Sequence, residues 1–397
     1  MSRYHSHLNT AKNLIESYKG KIPFASFQKQ FFAANKKYGA KDRSQISSLC
    51  FNYFRMGFAS TGVPINQKLL TATFLCEQDS SEFLKNMRPV WNEKISLPLE
   101  KKLQLTKEEF YLNDIFPFIN ELSDGIEPGE FCKSFLLQPD LYIRIRPKTS
   151  VSVVKKLVRS KIKYQLHGED CVQMPTSENV EDFFIIDKEV VIQDYSSQRV
   201  LNFLKTHQLL VDSLFPNPKL NLSVWDCCAA SGGKSILLHD ILRRKIDLTV
   251  SDIRAGTIHL LHQRFKKAFI KEYKYYIADI TAADFKPQDF CFDIILCDAP
   301  CTGSGTWSRT PEQLCYFKPA EIEEYTTLQK KIITGAVPHL KKGGLFFYIT
   351  CSVFKNENER MAAFIIENFN CKLLHLQLLK GYDKKADTMF VAVLQKI

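Results

Sequence analysis

The sequence predicts an α/β protein whose C-terminal half is a seven-stranded, mostly parallel sheet with helices on both faces. Three observations carry that reading. Five short apolar runs end in Asp or Thr-Cys, and each is followed by a helix-like segment. Such alternation is the pattern of a parallel sheet covered on both sides. Two further strand-like runs close the chain, at Lys372–Leu376 and Met389–Leu394. A loop of small residues follows the first run, where a ligand can approach the backbone.

The five runs are Leu222–Trp225 leading to Asp226, Leu248–Ser251 leading to Asp252, and Tyr275–Ala278 leading to Asp279. Phe292–Cys297 leads to Asp298, and Leu345–Ile349 to Thr350-Cys351. Before the fifth run, Ile322, Tyr325, Leu328, Ile332 and Ala336 recur at helical spacing, with Pro338 and Gly343-Gly344 as stops. Pro216-Asn217-Pro218 marks the entry to this half. Upstream, Leu141-Tyr142-Ile143-Arg144-Ile145-Arg146 alternates with period two and ends at Pro147, a strand. Residues 9–55 and 65–136 read as helices, with breaks at Pro98 and at Glu127-Pro128-Gly129. Three regions are therefore expected: helices over 1–136, a small α/β domain over 137–200, and the large sheet domain over 201–397.

Of the 397 residues, 45% are hydrophobic and 24% charged, which excludes global disorder. The start of the chain has no apolar signal core, and no apolar run reaches membrane-spanning length, so a cytoplasmic protein without a membrane partner is expected. The 12 cysteines then read as free thiols, and without a CxxC pair no metal is expected. The net charge of +11 points to a polyanionic partner. Between Leu141 and Gln165 stand eight basic residues and no acidic one, interleaved with Tyr142 and Tyr164, a candidate nucleic-acid surface.

In open sheets, ligands bind at the carboxyl ends of the strands, where all of these Asp and Cys residues fall. The loop Cys228-Ala229-Ala230-Ser231-Gly232-Gly233-Lys234 runs into a helix expected over 236–244, whose free N–H groups attract an anionic group. A nucleotide P-loop is excluded because its first Gly position holds Cys228, and no GxGxxG occurs. Asp252 lies 19 residues beyond Gly233, near the spacing at which a carboxylate meets ribose hydroxyls. With Asp279 and Asp298 at the next strand ends, the pattern fits an adenosine cofactor lacking a pyrophosphate, S-adenosyl-L-methionine. Cys301 and Cys351 stand at the ends of strands expected to be neighbours, so both thiols are expected at the cofactor crevice.

Through DCCAASGGKS, SDIRAGTI, ADI, DAPCTGSGTWSRTPE and YITCSVFKNENE, in that order, residues 140–397 resemble the Sun/Fmu-type RNA (cytosine-5) methyltransferases. The resemblance implies a Rossmann-like S-adenosylmethionine-dependent methyltransferase domain preceded by a small RNA-binding domain, acting on rRNA or tRNA. It implies that Cys351 is the nucleophile and that Cys301 assists release, an assignment that chemistry alone leaves open. It places Arg144 and Lys148 in the RNA-binding domain and Arg309 in a loop shaping the target pocket; Arg146, on the same strand, is a further candidate for RNA. Asp42-Arg43 and Phe54-Arg55-Met56-Gly57 are similar to the NusB-like domain of some members. Ser231 stands where the family usually has Pro, Arg146 where it commonly has Asn, and Thr302 where it has Ser.

The chemistry explains such residues. Carbon 5 of cytosine is a weak nucleophile; a thiolate adding at carbon 6 makes it an enamine carbon. Charge arising on the ring needs a donor at nitrogen 3, which a protonated or hydrogen-bonding carboxyl at Asp298 supplies, with Lys234 as electrostatic support. The target base must be flipped or unpaired. The competing expectation is a non-catalytic RNA-binding ribosome-assembly factor on the same fold, for which neither thiol nor Asp298 has a use. A monomer is the expected state.

Overall fold

A computed structural model describes residues 3–107, 110–217, 220–242, 246–282, 285 and 291–397. Two compact units emerge: residues 1–120, 126–138 and 306–318 in one, and 121–125, 139–305 and 319–397 in the other. Among the described residues, no helix is long and apolar enough to cross a membrane.

The first unit is helical, with helices at Arg3–Ser17, Phe24–Ala34, Ala40–Arg55, Ile65–Cys76, Leu99–Leu105 and Pro128–Phe135 among others. Helical spacing buries Leu8, Ala11, Leu14, Ile46, Leu49, Phe54 and Leu69 in one core. Pro98 immediately precedes a helix, and Pro128 occupies a first-turn position where no N–H is needed. Asp42 sits in the first turn of the helix Ala40–Arg55, where its carboxylate takes the Gly39 N–H at 3.0 Å. Residues 306–318 belong to this unit although the expected boundary put them in the C-terminal domain. Arg55, 2% exposed, holds them there, donating to the carbonyls of Ser308 (2.9 Å), Phe135 (2.9 Å) and Leu137 (3.0 Å). Glu312 accepts the Phe24 N–H at 3.1 Å.

The second unit holds two sheets. The smaller is antiparallel, in the order β2-β3-β1-β4, from β1 (Leu141–Ile145), β2 (Gln165–His167), β3 (Cys171–Met174) and β4 (Val190–Ile192). The helix Ser150–Ser160 buries Val153 and Leu157 with this sheet's apolar residues. Arg144 and Arg146, expected on RNA, are 2% and 7% exposed. They converge on Asp240 instead: Arg144 Nη1 reaches Oδ2 and Arg146 Nη2 reaches Oδ1, both at 2.7 Å. Period two sends them to the same side of β1, and that side faces the large domain rather than solvent. Asp240→Ala leaves two buried guanidiniums without their counter-charge. A loss of about 3–5 kcal/mol in unfolding free energy is expected in denaturant titration.

The large sheet contains β5 (Leu222–Asp226), β6 (Ile246–Asp252), β7 (Lys274–Ile277), β8 (Phe292–Asp298), β9 (Leu340–Thr350), β10 (Cys371–Leu379) and β11 (Met389–Lys396). Their order is β10-β11-β9-β8-β5-β6-β7, with β11 antiparallel to both neighbours and the rest parallel. Consecutive strand residues point to opposite, equally buried faces: Val224, Ile294 and Phe347 to one core, Trp225, Ile295 and Phe346 to the other. That double burial is why these strands read as apolar runs rather than alternations. The helix before β9 spans Ala320–Ala336 as expected. Gly343-Gly344, expected to end it, lies inside β9, where the register with β8 shifts. The helix after β5 runs Gly233–Ile241; its expected end at Arg244, like Pro218, lies outside the described residues.

Candidate active site

Parallel register brings the strand ends to one edge: Asp226 pairs with Val250 and Leu296, and Asp298 with Ile349. The loop after β5 turns sharply, with Ala230 at φ +45° and Gly232 at φ +81°. A Cβ on Gly232 would stand 2.6 Å from the Phe265 ring, so glycine is required. Asp252 accepts the Ala230 N–H at 3.0 Å and Arg254 N–H groups at 2.9, 3.0 and 3.1 Å. Burial opposes its charge, but the Arg254 bonds and charge outweigh it and lower its pKa. Ser231, standing in for the family's proline, is anchored through its carbonyl and hydroxyl by Arg264 at 3.2 and 3.0 Å. Arg264 is itself paired with Asp187. Asp279 is exposed, and its carboxylate turns back onto the N–H and hydroxyl of Thr281. Arg309 lies in the segment that folds with the helical unit.

Lys234 Nζ meets Asp298 Oδ2 at 2.5 Å. Burial works against the ammonium, but Asp298, and beyond it Cys351, hold its pKa above the ordinary value. The thiols of Cys301 and Cys351 are 3.4 Å apart. The hydrogen bond to Cys351, reinforced by burial, raises the Cys301 pKa well above the ordinary thiol value. Either thiol can donate to the other across this distance.

Two groups outside the expected set shape this pair. Glu357, fully buried, accepts from the Thr302 N–H at 2.9 Å, the Thr302 hydroxyl at 2.6 Å, the Ser352 hydroxyl at 2.5 Å and Gln329 Nε2 at 3.0 Å. Thr302 and Ser352 follow the two cysteines, so one carboxylate ties both turns. Asn358 takes the Thr350 hydroxyl at 2.5 Å and donates to the Ser352 carbonyl at 2.9 Å. The only sequence signal for either residue is its place in the KNENE stretch. Gly305 N–H bonds the Cys351 carbonyl at 2.8 Å, and a Cβ there would fall 2.0 Å from the Thr388 carbonyl.

Asp226 is buried behind the loop, with Ser235 donating to Oδ2 at 2.6 Å and no partner for Oδ1 among the described residues. Burial pushes its pKa from 3.8 up to about 7. Because the folded value exceeds the unfolded one, its contribution to stability is full below pH ~4 and is lost as pH rises through about 7. Asp226→Asn is expected to flatten the fall in melting temperature over that window, which corresponds to roughly 4 kcal/mol in the parent; calorimetry at stepped pH checks it.

Strand order, the reversed last strand and the loop after β5 define a Rossmann-like methyltransferase fold. Among solved structures, PH0851 superposes with a TM-score of 0.67 at 19% identity, covering 100% of both chains. The methyltransferase homolog protein from Pyrococcus horikoshii gives 0.56 at 20% identity, over 70% of this chain and 92% of that one. NSun6 from Pyrococcus horikoshii, solved with SFG, gives 0.53 at 16% identity, over 72% and 97%. Residues 213–394 match the family described as 16S rRNA methyltransferase RsmB/F. The probable ribosomal RNA small subunit methyltransferase B of Bacillus subtilis is 27% identical over 250 residues, 62% of this chain and 53% of the relative. The human tRNA (cytosine(72)-C(5))-methyltransferase NSUN6 is 34% identical over 175 residues, 41% and 36% of the respective chains. The chain thus spans about half, or less, of the length of these curated relatives.

Proposed function

We propose that this protein transfers a methyl group from S-adenosyl-L-methionine to carbon 5 of cytosine in rRNA or tRNA, through a transient bond between Cys351 and the pyrimidine. The observation that carries the proposal is the Cys301–Cys351 pair, 3.4 Å apart beside the Lys234–Asp298 ion pair.

The residues fit the cofactor. The tight loop 228–234 leaves backbone N–H groups at the start of a nine-residue helix for an anionic carboxylate, and Asp252 stands at the next strand end for hydroxyls. When bound, the cofactor supplies an electrophilic methyl group. Asp279, exposed and turned onto Thr281, is the weaker member of the expected set.

Cys351 is assigned as nucleophile on the family resemblance, and Cys301 stands within 3.4 Å to assist. Addition of the Cys351 sulfur to carbon 6 moves the ring electrons toward carbon 5 and nitrogen 3, a charge that the Asp298–Lys234 pair is assigned to stabilise. After methylation a base takes the carbon-5 proton, the C–S bond breaks and its electrons return to the Cys351 sulfur, a release that Cys301 is assigned to assist. In place of Arg144 and Arg146, the exposed Lys148, Lys155, Arg159, Lys161 and Lys163 are assigned to the RNA backbone.

Incubation with unmodified rRNA and tRNA and methyl-labelled S-adenosylmethionine is expected to place label on cytosine carbon 5. Binding of RNA without any transfer would instead favour an assembly factor, and label on an exocyclic amine would remove the covalent step.

A further inference from the structure

The spacing of cysteines along the chain excludes a CxxC metal site, but sheet pairing supplies what spacing lacks. Cys227 and Cys228 follow β5 directly, and Cys297 is the penultimate residue of β8. Because β5 and β8 pair in parallel with Asp226 opposite Leu296, Cys227 and Cys297 come next in the same register. The three sulfurs lie within 4.8 Å of one another. Cys227 and Cys297 are 2% and 0% exposed, while Cys228 is partly open and offers a way in.

From this convergence we infer that Cys227, Cys228 and Cys297 form a binding site for one soft, thiophilic d10 cation, of the Zn²⁺ or Cu⁺ class. Around such an ion at ~2.3 Å, three sulfurs stand about 3.8–4.0 Å apart, so small side-chain rotations close the cluster onto it. Trp225, Ile295, Ala299 and Tyr348 wall the site with apolar surface, which strengthens metal–thiolate attraction by excluding water. The Asp298 carboxylate acts on Cys297 and Cys228 by charge, which favours a cation there and disfavours an anion. Each ligating thiol releases its proton to solvent, and no electron is transferred. The ion would fasten the loop after β5 to the end of β8, and Cys228 is part of the loop assigned to the cofactor.

Cadmium titration of the full-length, reduced protein tests the inference without recourse to activity. One equivalent is expected to generate the thiolate-to-metal charge-transfer absorbance and to protect three of the 12 thiols from a thiol reagent. Zn²⁺ and Cu⁺ are expected to compete with cadmium. Cys297→Val and, separately, Cys227→Ala are expected to abolish the band while circular dichroism stays native. The double variant Cys301→Ser, Cys351→Ser is expected to keep it. Absence of a one-to-one complex, retention of the band in both folded single variants, or its loss in the double variant would overturn the assignment; the last would move the ion to the reacting pair.

Discussion

Cys351→Ala is expected to lose methyl transfer by at least ~10³-fold, because without a sulfur nucleophile carbon 5 stays unactivated. Cys301→Ala is expected to behave differently. Addition and methylation proceed, release stalls, and a covalent protein–RNA adduct accumulates that survives denaturation and migrates slowly in denaturing gels. The prediction rests on the proposed assignment of Cys351 as nucleophile and on the 3.4 Å separation that lets Cys301 act on the same base. An adduct formed by Cys351→Ala and none by Cys301→Ala would exchange the two roles. Both variants are expected to fold, since each thiol is only partly buried and its removal leaves a small cavity.

Much of this architecture was legible because a strand buried on both faces leaves a mark in sequence. Runs such as Leu345–Ile349 are apolar without interruption, and the polar residue that ends each run marks the sheet edge where ligands bind. Asp226, Asp252, Asp298 and Cys351 could therefore be placed together before any coordinates. Arg144 and Arg146 misled for a physical reason. A cation on a strand reads the same whether it faces solvent or a buried carboxylate, and Asp240 lies 94 residues beyond Arg146. Residues 306–318 follow the Pro-Cys turn without a break in composition, yet they fold with the helical unit through Arg55, a contact that local pattern does not encode. The convergence of Cys297 on Cys227 and Cys228 is likewise a product of strand order rather than of spacing.

The position of the two sulfurs is set by a residue that touches neither. Glu357 accepts four hydrogen bonds, two from Thr302, one from Ser352 and one from Gln329, and Gln329 also holds the Pro300 carbonyl at 2.9 Å. Glu357→Ala strips the acceptor from these donors at once, three of them on the residues next to the thiols. Leaving buried donors unpaired costs about 1–3 kcal/mol each in the least favourable case, so a total loss near 4 kcal/mol in unfolding free energy is expected after partial rearrangement. The reaction is expected to suffer beyond that, because displacement of a reacting atom by about 1 Å costs roughly 10²-fold. Glu357 is therefore a positioning residue, and the loss should fall on kcat while cofactor affinity, measured by calorimetry, stays unchanged. Glu357→Gln supplies the control. The Thr302 and Ser352 hydroxyls can rotate to accept from the new amide, so this variant should recover most of the stability and at least a tenth of the parental rate. Equal loss in both variants would point instead to a need for the carboxylate charge, and undiminished transfer in Glu357→Ala would mean that the strands hold the sulfurs in place without it.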